Sequence, residues 1–172
     1  MYKIGMYVSY RSEGVCVISE IRRQKFGALN ELKDFYILSP VREPNAKLFV
    51  PSDNEVLVKK MRPLCSADEV NSLMKKLLDQ RFEWIAQPRP RANFFREILA
   101  DGNRDSLVTL VHTVCDKEAE LSQIGKHVTQ SDLSALERAK KMLLLELSFT
   151  TDITTEQMLT AVINCECNCK DK

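Results

Sequence analysis

Ile4-Gly5-Met6-Tyr7-Val8-Ser9-Tyr10-Arg11-Ser12-Glu13-Gly14-Val15-Cys16-Val17 is the stretch that decides the fold class. Met6, Val8 and Tyr10 alternate with Tyr7 and Ser9. Ser12-Glu13-Gly14 interrupts the pattern, and Val15, Val17 and Ile21 resume a period of two. Successive side chains of a strand point to opposite faces, so this reads as strand, tight turn, strand. Gly14 closes the turn, where a residue without a side chain takes positive φ at no steric cost. Working outward, Asp34-Phe35-Tyr36-Ile37-Leu38 and Lys47-Leu48-Phe49-Val50-Pro51 are two further β-like runs, separated by turn-forming residues over Gly27–Lys33 and Pro40–Ala46. A sheet of such short strands hides its edges best by curling closed, which predicts a small barrel. Val56 and Val58, then Lys59-Lys60-Met61-Arg62-Pro63, predict a last short strand or extended exit. Pro63 marks the end of a first domain, residues 1–63.

The pattern then changes to helical spacing, giving a second, all-α domain over 64–172. Ser66-Ala67-Asp68-Glu69 has the form of a capping box, followed by Val70, Leu73, Met74, Leu77 and Leu78, and predicts a helix from Ala67 to Gln80. Pro88-Arg89-Pro90 is expected to lie outside any helix, because proline lacks the backbone donor a helix interior needs. A second helix is predicted over Ala92–Asp101, stopped by Gly102, and a third over Asp105–Ile124, stopped by Gly125. Thr129 and Asp132 cap a fourth, running to Phe149 with Leu133, Leu136, Ala139, Leu143 and Leu147 on one stripe. Thr154 or Asp152 starts a fifth. The expected fold class is thus α+β in two domains, a small β-barrel followed by a bundle of about five helices.

Composition narrows the function. The formal net charge is only +1; the first 63 residues carry eleven Lys/Arg against seven Asp/Glu, and the rest carry fourteen against seventeen. A protein that wraps DNA by bulk charge is far more basic, so any DNA contact is local. There is no apolar run of membrane-spanning length and no charged-then-apolar leader, so a cytoplasmic location without a membrane partner is expected. Six cysteines in such a chain read as reduced thiols.

No enzyme site converges. The two histidines, His112 and His127, stand apart, and no phosphate loop, His-Glu-x-x-His helix or nucleophile elbow occurs. A non-enzymatic protein with no cofactor and no small-molecule substrate is the reading. The tail Cys165-Glu166-Cys167-Asn168-Cys169 has one residue between thiols and no fourth ligand nearby, where structural zinc wants two to four between paired cysteines. A thiol-rich tail without metal is the simpler reading.

Arg81, Arg89, Arg91 and Arg96 fall among Phe82, Trp84, Pro88, Phe94 and Phe95. Cations can hold phosphates while an aromatic or proline wedges a base step; equally, the aromatics are core and the arginines a solvated rim. Arg22, Arg23, Gln24, Lys25, Lys47 and Phe49 surround the second and fourth strands, where an open strand edge with positive charge suits an acidic partner. The plain alternative is a solvated strand face.

The run Ile-Gly-x-x-Val-x-Tyr-x-x-x-Gly-Val (Ile4 to Val15), the Phe35-Tyr36-Ile37-Leu38 strand and Leu48-Phe49-Val50-Pro51-x-x-Asn54 resemble the CarD/CdnL family of bacterial transcription regulators. The resemblance runs from Ile4 to about Leu147 and implies an SH3/Tudor-like barrel, shared with transcription-repair coupling factors. That barrel would bind the RNA polymerase β subunit through residues such as Arg22, Arg23, Gln24, Lys25, Lys47 and Phe49. The helical domain would touch promoter DNA near the bubble through Arg81, Trp84, Pro88, Arg89, Arg91 and Arg96, stabilising the open complex. In the family a tryptophan wedges the minor groove shortly before a helix ending in Leu-Ala-x-Gly. Counting back from Leu99-Ala100-Asp101-Gly102, that place falls on Pro88, with Arg91 keeping a basic position and Trp84 four residues earlier. Either Trp84 serves as the wedge through a shifted loop, or the chain has no tryptophan wedge. The rival to the whole reading is a protein–protein adaptor without DNA contact.

Overall fold

The computed structural model describes residues 2–26, 31–64, 66, 69 and 80–149. The chain divides into two compact units, Met1–Leu64 and Cys65–Lys172.

In the first unit, β1 (Tyr7–Tyr10) leads through a single 3-10 turn (Arg11–Glu13) into the long β2 (Gly14–Phe26). Gly14 has φ 70 at the end of that turn, the backbone the sequence requires of it. β3 (Glu31–Pro40), β4 (Leu48–Pro51) and β5 (Met61–Pro63) complete one antiparallel sheet in the order β4-β3-β2-β1-β5. Val8, Cys16, Ile18, Tyr36, Leu38, Val50 and Met61 fill its buried face. The register of β2 on β3 slips between Ile18 and Glu20, and the Ser19 hydroxyl there donates to the Ile37 carbonyl at 3.1 Å. The bulge thus sets a side-chain donor against a carbonyl of the neighbouring strand.

Two expectations change here. Glu31–Lys33, expected in a loop, extend β3, so β2 and β3 run on together past β4 as a two-stranded ribbon, Gln24–Phe26 against Glu31–Lys33. Val56 and Val58 lie in a helix, α1 (Glu55–Lys59), not a strand. Asn54 explains the switch: its side chain accepts from the Leu57 amide at 3.1 Å, capping the helix start. The helix packs against both β4 and β5, the two edges of the sheet.

In the second unit three long helices are described: α2 (Pro88–Asp101), α3 (Arg104–Ser122) and α4 (Gln130–Ser148). The capping box expected at the start of the unit is present, with the Ser66 amide donating to Glu69 and the Glu69 amide to the Ser66 hydroxyl. The body of that helix, the expected fifth helix and the cysteine-rich tail lie outside the described residues.

Contrary to expectation, Pro88-Arg89-Pro90 forms the first turn of α2. The first turn of a helix has no intrahelical acceptor for its amides, so prolines there remove nothing, and their fixed φ suits the helix. Gly102 stops α2 at φ 67. Beyond α3, the Gly125 amide bonds the Ser122 carbonyl and the Lys126 amide the Leu121 carbonyl, the paired bonds of a left-handed helix stop. Phe95, Ile98 and Leu99 meet Leu107, Leu110, Val111 and Val114 of α3 and Leu136, Ala139, Leu143 and Leu147 of α4 in one core.

Thr129 and Asp132 make a reciprocal capping box at the start of α4. Thr129→Ala is expected to lower the stability of this unit by about 1–2 kcal/mol, with Thr129→Ser close to wild type. Urea midpoints of the three chains measure it.

Candidate functional site

Two surfaces collect the residues singled out from the sequence, one on each unit. On the first, strand alternation splits the set. Arg22 lies opposite Phe35, Gln24 opposite Lys33, and Phe49 opposite Ile37, so Arg22, Gln24, Lys47 and Phe49 share one face of the sheet. Arg23 and Lys25 lie on the other face, beside the exposed Ile21 and Leu32. Arg22 is held by Glu20 at 2.6 Å and Arg23 approaches Asp34 at 3.8 Å, both exposed pairs. Lys47 donates to the buried Ser39 hydroxyl at 2.7 Å.

The edge strand β4 is the more informative part. The Ser52 amide bonds the Asp34 carbonyl at 2.8 Å, which makes those two a hydrogen-bonded pair. Pairs alternate along an antiparallel ladder, so Val50–Tyr36 and Leu48–Leu38 are bonded while Phe49–Ile37 is not. The Phe49 amide and carbonyl therefore point away from β3, to the open side. Its ring is 47% exposed and meets Phe35 edge-on, with centroids 6.4 Å apart. At the opposite edge, the Met61 carbonyl of β5 accepts from the Tyr2 hydroxyl. An unpaired strand edge beside a half-exposed aromatic ring is a template for a partner's strand.

On the second unit, the segment 80–87 and the start of α2 lie over the helical core. The Phe82 amide donates to Thr113 Oγ1 at 2.9 Å, and Phe82 packs edge-on against Phe94 at 5.1 Å. Trp84 packs against Phe95 at 6.4 Å and lies beneath the Arg91 guanidinium, 4.2 Å from its centroid. Expected as a cation for phosphate, Arg91 is 3% exposed and points inward. It forms a fork on Asp132, with Nε to Oδ1 at 2.9 Å and Nη2 to Oδ2 at 2.7 Å, and its Nη1 donates to the Ile85 carbonyl at 2.7 Å. A planar five-donor group with a carboxylate, two carbonyls and an aromatic face around it is satisfied in place, and a phosphate would have to displace those partners.

Burial alone would raise the pKa of Asp132. The hydrogen bonds from Arg91 and Thr129 outweigh that and hold its carboxyl below the ordinary carboxylate value. Arg81 is likewise engaged, by Asp116 and the Gln80 carbonyl. Pro88, Arg89 and Arg96 remain outward. Arg96 bonds Asn93 at 3.0 Å, and Arg89 and Arg96, seven residues apart, stand two turns apart on one helix face. The missed residue is Asp132, which the sequence shows only as part of a cap; nothing in its spacing points to Arg91, 41 residues away.

The other candidates for chemistry stay separate. Cys16 is buried, and burial first, then the Glu13 charge, pushes its thiol up to about 12, so little thiolate forms at neutral pH. Among the described residues, no group of His, Cys, Asp and Glu has the arrangement of a metal site, and no helix is long and apolar enough to cross a membrane.

Residues 2–64 match the family model of the CarD-like/TRCF RID domain. The match covers the sheet-bearing unit and ends where that unit ends. No curated protein matches the chain. The RID domain is an RNA-polymerase-interacting module, which supports a transcription-related role for this chain through polymerase binding.

Proposed function

We propose that this protein is a non-enzymatic, cytoplasmic transcription regulator, needing no cofactor, that docks on the β subunit of RNA polymerase and stabilises the open promoter complex. The RID domain, closing as a Tudor-like barrel, adds the open edge of β4 to a strand of the β subunit, with Phe49 as the apolar anchor. The helical unit then leans on promoter DNA beside the bubble through Pro88, Arg89 and Arg96.

The single observation that carries the docking half is the RID match over a unit whose edge strand turns the Phe49 amide and carbonyl outward. Tethering supports the DNA half. A docked module raises the effective concentration of its neighbour, so a contact of a few outward cations suffices where net charge is +1.

Arg89→Ala is expected to shorten the open-complex lifetime roughly tenfold while leaving polymerase binding unchanged, since a phosphate contact is worth on the order of 1 kcal/mol or more. Lifetimes on a supercoiled promoter, alongside pull-down by β-subunit fragments, measure both. Fragment binding with a lifetime that neither the wild type nor the variant alters would favour the adaptor reading.

A further inference from the structure

We infer that Arg91 is a positioning residue for the DNA contact, holding Trp84 down on the helical unit and presenting Pro88 and Arg89 as the part that meets the duplex. This rests on the DNA-contact reading above and specifies it. Trp84 is held where it cannot reach a base step. A wedge must leave its own unit to enter a base step, yet Trp84 lies against Phe95 with the Arg91 guanidinium 4.2 Å above it. Leaving would break a cation–π contact and uncover the buried fork on Asp132.

Pro88 is free of that restraint. It is exposed, has no backbone donor to satisfy, and sits at the first position of a helix. Arg89 beside it is exposed, with no hydrogen-bond or ion-pair partner among the described residues. The same guanidinium that covers Trp84 also donates to the carbonyls of Ile85, at 2.7 Å, and Ala86, at 3.2 Å, the residues leading into this corner. One side chain therefore fixes both where the tryptophan stays and where the proline points.

The test is a double-mutant cycle in the full chain bound to polymerase and promoter, reading open-complex lifetime for Arg89→Ala, Arg91→Lys and the two together. Lysine keeps the charge but loses the fork and the planar stack. Arg91→Lys is expected to shorten the lifetime roughly three- to tenfold and to have a clearly smaller effect once Arg89 is alanine, because part of what it positions is then already gone. A general loss of structure would instead multiply the two effects, and that result overturns the inference.

Pro88→Ser and Trp84→Phe, both compatible with the fold, give a second reading should the lysine variant melt early. Shortening by Pro88→Ser alone upholds the assignment, and any other pattern overturns it. If Arg89→Ala is itself silent, the DNA-contact reading falls, not merely this refinement of it.

Discussion

Asp132→Ala will destabilise the helical unit by about 3–5 kcal/mol, the loss typical when one partner of a buried ion pair is removed and the other charge stays behind. Asp132 is fully buried and Arg91 nearly so, and the pair joins the start of α2 to the start of α4. Replacing both at once, as in Arg91→Met with Asp132→Leu, is expected to cost much less, because no uncompensated charge remains. Urea unfolding followed through Trp84 fluorescence gives both values. The same pair sets an acid limit. The Asp132 carboxyl has a lower pKa folded than unfolded, so its contribution is fully present above the unfolded value of about 3.9 and is lost as pH falls through the folded one. The wild-type unit should lose stability with acid below roughly pH 4 more steeply than Asp132→Ala. Parallel pH profiles for the two chains would refute the role given to this carboxylate.

Phe49→Pro will abolish most polymerase binding, raising the dissociation constant for a β-subunit fragment by more than about tenfold, or roughly 1.4 kcal/mol. The substitution is selective because the Phe49 amide faces the open side of β4 and takes no part in the ladder with β3. Proline on an edge strand removes a donor only from whatever would pair there. Phe49→Ala keeps that amide and removes only the ring, so its loss should be smaller, and the difference between the two variants isolates the strand pairing. Both are expected to retain the fold of the RID domain, checked by circular dichroism. Wild-type affinity in Phe49→Pro would send the docking surface elsewhere, with the opposite face of the β2–β3 ribbon, around Arg23 and Lys25, as the first alternative.

Local chemistry was legible in the sequence wherever a short-range pattern dictates backbone. The alternation from Met6 to Val17 fixed the first hairpin, Gly102 and Gly125 ended their helices, and Ser66 with Glu69 and Thr129 with Asp132 formed their caps. The errors were also local. Val56 and Val58 alternate like a strand, but an Asn54 cap outcompeted that pattern over five residues. Pro88 and Pro90 read as helix breakers, though the first turn of a helix is the one place where their missing donors go unneeded.

Which way a charged side chain faces was beyond the sequence, because that depends on partners far along the chain. Arg81, Arg89, Arg91 and Arg96 look alike in the sequence; only folding brings Asp132 to Arg91 and Asp116 to Arg81, leaving Arg89 outward. Arg22 and Gln24 part from Arg23 and Lys25 by strand alternation alone, but their sharing a face with Phe49 follows from register, set by long-range pairing and a bulge at Ser19. Propensity and capping act over a few residues and are written in the chain. The desolvation that turns an arginine inward, or a strand edge outward, exists only once distant segments have packed.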